Sequence, residues 1–217
     1  MGTDLPGLDY STEALPMEYP TYGSADLRTP AFHAEYETGS AVTCLSYCGY
    51  VIYPGKKPLD SLPATYVEND SEADTLEITL TDPLIGLKII LSYSVFEDYD
   101  IITKSVRAVN ESVQPIDVQS ILSSTTYLFD KNYEFVHLTG AWARERHIQK
   151  QPLMNGTMQI DSKRVASGHI HSPFLALARP WATENQGEVY GYSFVYSGNF
   201  IMQAETNQQD VVRVNIG

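Results

Sequence analysis

Cysteine is nearly missing from this 217-residue chain: Cys44 and Cys48, inside a CLSYC stretch, are all it has. On a strand that spacing puts both side chains on one face, too far apart along it for an easy disulfide. No disulfide framework is expected; two buried thiols in a reducing compartment, with a cytoplasmic address, are predicted instead. Positive charge is scarce too, with 14 Lys and Arg against 27 Asp and Glu, giving a net charge of −13. Such a surface repels phosphate backbones and anionic bilayers, which excludes nucleic acid and membrane partners and leaves neutral ligands such as sugars. No apolar run approaches the roughly 18 residues of a membrane span. Residues 1–16 lack both the basic start and the apolar stretch of a signal peptide. A sustained i, i+3, i+4, i+7 stripe is absent, as are a Ser–His–Asp spacing, a Gly-rich phosphate loop and a CxxC knuckle.

What is present is period-two alternation. Leu76, Ile78 and Leu80 alternate with Glu77, Thr79 and Thr81, the mark of a strand with one wet face. Leu87, Ile89, Leu91, Tyr93 and Val95 repeat the pattern, and Pro83 and Gly86 between the two runs predict a hairpin turn. Ile102, Val106 and Ala108 follow the acidic turn Glu97-Asp98-Tyr99-Asp100. Further strands are predicted at 116–122, 174–178, 189–196, 201–204 and 211–216. This predicts an all-β fold of antiparallel sheets packed face to face, with residues 1–217 as one domain. Segments 1–29, 55–74 and 140–172 read as irregular, the last long enough to suggest a functional loop. Both ends read as cut, because the chain opens in an irregular arm and stops inside a strand pattern.

The richest chemistry lies in Gly140-Ala141-Trp142-Ala143-Arg144-Glu145-Arg146-His147, which holds one of the two tryptophans. An indole face suits the C–H face of a pyranose, and arginines can donate to its hydroxyls; the same residues also suit an aromatic plug with an Arg–Glu–Arg network holding a loop. Asp26 and Arg28, two apart, share a face if extended, and either pair locally or reach a ligand. His169 and His171 form an H-x-H, but no third metal ligand is evident, so no metal is predicted. Most carboxylates sit in charge-rich turns such as 68–74, and no pair is placed for glycoside hydrolysis. No catalytic residue and no cofactor are assigned to this stretch.

In order along the chain, Glu18-Tyr19-Pro20, Asp26-Leu27-Arg28-Thr29-Pro30-Ala31, Leu62-Pro63-Ala64-Thr65-Tyr66-Val67-Glu68, Gly140-Ala141-Trp142 with Arg144-Glu145-Arg146, Ser172-Pro173-Phe174-Leu175-Ala176-Leu177, Gly187-Glu188-Val189-Tyr190-Gly191 and Tyr196-Ser197-Gly198-Asn199-Phe200 resemble the N-terminal domain of family 36 glycoside hydrolases, the microbial α-galactosidases. The resemblance implies a β-supersandwich like that of the galactose mutarotases, preceding a (β/α)8 barrel that carries the two catalytic aspartates, and it implies that this chain lacks the earliest strands of the family's first domain. It implies that the parent enzyme cleaves terminal α-galactosides of the melibiose and raffinose type by a retaining mechanism, and that this part alone does not. It implies a substrate-pocket position for Trp142 and makes Arg144, Arg146, Asp26 and Arg28 substrate-binding candidates, or else residues that order loops at a domain or subunit contact. It implies as partners the enzyme's own barrel and neighbouring subunits, typically in a homotetramer. His147 departs from the aromatic residue the family often has after Arg146. The alternatives are a free-standing sugar-binding module, or an aldose epimerase using His169 or His171 with Glu188.

Overall fold

The computed structural model describes residues 15–24 and 26–217. The strands run, in chain order, β1 (Phe32–Tyr36), β2 (Ser46–Pro54), β3 (Asp74–Asp82), β4 (Leu87–Phe96), β5 (Ile101–Asn110), β6 (Ile116–Ile121) and β7 (Ser124–Leu128). There follow β8 (Glu134–Ala141), β9 (Arg144–Pro152), β10 (Gly156–Ser162), β11 (His171–Ala178), β12 (Val189–Ser193), β13 (Phe200–Thr206) and β14 (Val212–Ile216). Among the described residues there is no α-helix, and so none long and apolar enough to cross a membrane. Every strand pair is antiparallel, as the alternation predicted.

β2 to β5 form a meander in sequence order. The turn between β3 and β4 falls at Pro83–Gly86, where Gly86 takes φ +67° and a Cβ would meet Ser112 at 2.7 Å, so glycine is required. The acidic turn before β5 is a single 3-10 turn that ends on Asp100 at φ 53°. Leu87, Ile89 and Leu91 of β4 face inward onto the small β1–β6 sheet, burying Phe32, Ala34 and Tyr36 beside Tyr19 and Leu122. Each such fully buried large side chain contributes about 1.5–3 kcal/mol. Farther along β4 the register is unbroken but burial changes face: Ser94 and Phe96 are buried and Val95 is exposed, with the Ser94 and Thr75 hydroxyls hydrogen-bonded at 2.7 Å.

A second core lies between two four-stranded sheets, β10-β13-β14-β7 and β12-β11-β8-β9. Ile160, Met202, Ala204, Val212 and Val214 from the first meet Phe135, Leu175 and Leu177 from the second. This pairing fixes where the β8–β9 hairpin projects.

Two expectations are corrected. Cys44 and Cys48 are free but exposed, not buried. Cys44 precedes β2, and Cys48 sits at a bulge between Tyr47 and Gly49 on this edge strand, none of whose residues is buried, so neither thiol is covered. The stretch 140–172 is not irregular: it contains β9, β10 and the start of β11. All nine residues of β9 are exposed, so its sequence RERHIQKQP carries no hydrophobic period to read.

Candidate functional site

The motif around Trp142 forms the tip of the β8–β9 hairpin. Ala141 pairs with Arg144, leaving Trp142 and Ala143 as the turn, with Ala143 at φ 62°. A register shift between Thr139 and Ala141 marks a bulge on β9, where Glu145 and Arg146 together oppose Gly140. A Cβ there would lie 2.4 Å from the Arg144 carbonyl oxygen and 2.7 Å from the Glu145 Cα, so only glycine lets the two strands approach this closely. The Gly140 N–H donates to the Ile170 carbonyl at 3.1 Å, tying the tip to the segment before β11. Arg146 takes φ 60°, which re-aims the side chains that follow.

The result is an indole 83% exposed at the end of a pinned hairpin. Beside it a cleft of about 270 Å3 is lined by Thr139, Gly140, Arg144, His147 and Gln149. Its lining offers donors, a hydroxyl and an amide, but no carboxylate. Such a surface can hold a neutral polyol by stacking and hydrogen bonding, and it has no acid to protonate a leaving group.

Asp26 and Arg28 lie elsewhere, against a different sheet. Asp26 Oδ1 accepts from the Arg28 backbone N–H at 3.0 Å and from its Nε at 3.1 Å, while Oδ2 accepts from Arg28 Nη2 at 2.9 Å. Arg213 of β14 donates to the same Oδ2 at 2.7 Å and to the Thr29 carbonyl at 2.8 Å. The side chains of Asp26, Arg28 and Arg213 are only 1%, 6% and 0% exposed. Burial pushes the Asp26 carboxyl up, but the hydrogen bonds from Arg28 and the charge of Arg213 outweigh it and hold it below the usual range. The local pairing is therefore real, and it clamps the arm to the sheet with Leu27 left 89% exposed at the bend. Arg213 escaped the sequence reading because Val212-Arg213-Val214-Asn215-Ile216 looks like a strand with one wet face, whereas all five residues are buried.

His171 opens β11, and its ring lies 5.7 Å from that of His137 on β8. The Nδ1 atoms of both are buried without a hydrogen-bond partner among the described residues. Burial, and then the neighbouring His171, push His137 below the ordinary histidine range. Among the described residues no group of three or more His, Cys, Asp or Glu is arranged for a metal. Glu188 is bonded to Arg179, just beyond the other end of β11. Eight residues at about 3.3 Å each separate it from His171 by some 25 Å, so the histidine–glutamate pair of an epimerase is not assembled.

Comparison with known proteins agrees on one kinship. The glycosyl hydrolase family 36 N-terminal domain model matches residues 3–217. α-Galactosidase AgaA of Geobacillus stearothermophilus is 46% identical over 208 residues, which cover 96% of this chain and 28% of that protein. A crystal structure of a variant of that enzyme in complex with raffinose superposes with a TM-score of 0.94, covering 96% of this chain and 29% of its own. The α-galactosidase of Lactobacillus brevis is 38% identical, with a TM-score of 0.92, and covers 100% of this chain and 30% of its own. The chain thus spans a little over a quarter of the length of these relatives.

Proposed function

The chain belongs to the N-terminal domain family of glycosyl hydrolase family 36, and from that premise we propose that it shapes and shields the galactoside site of an α-galactosidase whose reactive carboxylates reside elsewhere on the polypeptide. The observation that carries this reading is the β8–β9 hairpin. It is an ordered projection tipped by an exposed indole, beside a cleft rich in donors and lacking a carboxylate. Retaining hydrolysis requires two carboxylates about 5–5.5 Å apart across the scissile bond. In this reading Trp142 stacks on the sugar face while Arg144 and Arg146 supply donors to its hydroxyls. The substrates are terminal α-galactosides of the raffinose type, in line with the raffinose-bound relative. Asp26 and Arg28 act by ordering the arm against β14, away from the hairpin. The setting is cytoplasmic.

The partners in this reading are the enzyme's barrel and neighbouring subunits. Tyr50 and Ile52 of β2 share the inner face of their sheet with Ile78 and Leu76 of β3, and both are exposed, as is Ile102 of β5. Contiguous apolar surface of this kind suits burial against protein rather than solvent.

The isolated chain should not hydrolyse an aryl α-galactoside; steady release of galactose by it would refute the division of labour. In the enzyme that carries this domain, Trp142→Ala should lower kcat/KM by about tenfold to a hundredfold, the loss typical of a positioning contact. Unchanged kinetics would reduce Trp142 to a surface ornament of the hairpin.

A further inference from the structure

The other tryptophan, Trp181, stands at the opposite end of the same sheet. Its loop joins β11 to β12 and is tightly held. The Arg179 N–H donates to the Glu188 carbonyl at 3.0 Å, Ala182 N–H to the Arg179 carbonyl at 2.9 Å and Thr183 N–H to the Gln186 carbonyl at 2.8 Å. Gly187 takes φ +108° and packs so closely on Ala182 that a Cβ would lie 2.6 Å from its Cα.

Under the loop the Arg179 guanidinium is fixed on every edge. Nε donates to Glu188 at 2.9 Å, Nη1 and Nη2 donate to the two oxygens of Asp130 at 2.6 and 3.1 Å, and Nη1 reaches the Asn132 carbonyl at 3.2 Å. Its plane lies 3.9 Å over the Tyr133 ring, with the Trp181 ring 6.0 Å away. Tyr133 donates to Glu188 at 2.9 Å, and its ring packs edge-on to Tyr190 at 6.0 Å. Hydrogen bonds from Tyr190, Arg179 and Tyr133 hold the Glu188 carboxyl below the usual range, so it is an acceptor across neutral pH.

This ordering leaves Trp181 59% exposed, with Tyr190 also exposed and with half of Asp130 and nearly half of Glu188 open to water. A large aromatic surface is kept in solvent on a loop that has little freedom to fold away. Next to it stand carboxylate oxygens whose direction is fixed and whose charge Arg179 partly neutralises. An anion is repelled by the carboxylates and by a chain of net charge −13. A cation finds the face of Tyr133 already occupied by Arg179. A pyranose meets the arrangement best: its C–H face covers an indole while its hydroxyls donate to fixed carboxylates.

We propose that Trp181, with Asp130, Glu188 and Tyr190, forms a second, non-catalytic binding site for neutral saccharides. It lies some 25 Å along β8 from Trp142, eight residues at about 3.3 Å each. The site stands independently of the role given above to the hairpin.

The chain has two tryptophans, so its indole N–H signals in a nitrogen-15 correlation spectrum report the two places separately. On titration with raffinose the Trp181 signal should move saturably, with a Kd in the millimolar range typical of a small polar contact surface, about 1–10 mM. Trp181→Ala should abolish the binding, and Glu188→Gln should weaken it about tenfold, the loss of one hydrogen bond to a charged acceptor. Choline should leave the signal in place. A Trp181 signal that stays fixed to about 50 mM raffinose overturns the site, as does one that moves with choline and not with sugar. Movement of the Trp142 signal alone also overturns it, while leaving the hairpin reading intact. Because Trp181 is exposed on its loop, Trp181→Ala should fold, which a superimposable circular dichroism spectrum would verify.

Discussion

Replacing Asp26 by asparagine tests the buried clamp most directly. The Asp26 carboxylate accepts four hydrogen bonds from Arg28 and Arg213, and all three side chains are sealed from water. An amide in its place keeps the shape but points two hydrogens at guanidinium groups and removes the negative charge that Arg28 and Arg213 share, with Glu205 standing 3.8 Å from Arg213. Breaking a buried ion pair from one side costs about 3–5 kcal/mol. Against a total stability of about 5–15 kcal/mol that is a large fraction. At about 2–4 °C per kcal/mol for a chain of this size, Tm should fall by some 6–20 °C. The assay is chemical denaturation followed by circular dichroism, repeated from pH 7 to pH 3. The native carboxyl titrates below its unfolded counterpart, so its stabilisation is fully present above about pH 4 and is lost as the pH falls through the native value. The gap between wild type and Asp26→Asn should therefore narrow only in acid. A loss under about 1 kcal/mol at pH 7, or a gap that widens in acid, would refute the argument.

His137 is held below the ordinary histidine range, so the unfolded chain binds its proton more readily, and stability should drop as pH falls from about 7 to 5. Replacing His137 with glutamine should flatten that slope in denaturation midpoints measured across the interval. Gly140→Ala forces a Cβ into the Arg144 carbonyl, and it should destabilise the hairpin by about 1–3 kcal/mol and raise amide exchange in β9 relative to β8. Cys44 and Cys48 should both react with a thiol reagent in the folded state, giving two thiols per chain at the same end point as the denatured protein. Fewer native thiols would contradict the exposed placement.

Legibility in the sequence followed burial. Where burial alternates, as at Leu87–Leu91, period two located the strand, and Pro83 and Gly86 placed the turn before it. Where both faces are exposed, as in β9, or both buried, as in β14, nothing alternates and the pattern is silent or misleading. The thiols were misplaced for a related reason, since β2 is an edge strand exposed on both faces and Cys44 lies before it. At the candidate site, tryptophan scarcity made Trp142 conspicuous, and the family motif gave it a setting. The Asp26–Arg28 pair was visible at close range. Arg213 was not, and neither was the binding of Arg179 to Asp130 and Glu188, because charge partners far apart in sequence leave no local mark.

Asp26 meets Arg213 across 187 positions, a span that has a temporal meaning. During synthesis the arm emerges early, and until β14 is made Asp26 has the adjacent Arg28 but not Arg213, so the clamp closes only after the intervening strands exist. A stop before Val212 would leave Asp26 and Arg28 without the Arg213 bond that ties the arm to β14, so the arm's anchoring reports that this strand has been reached.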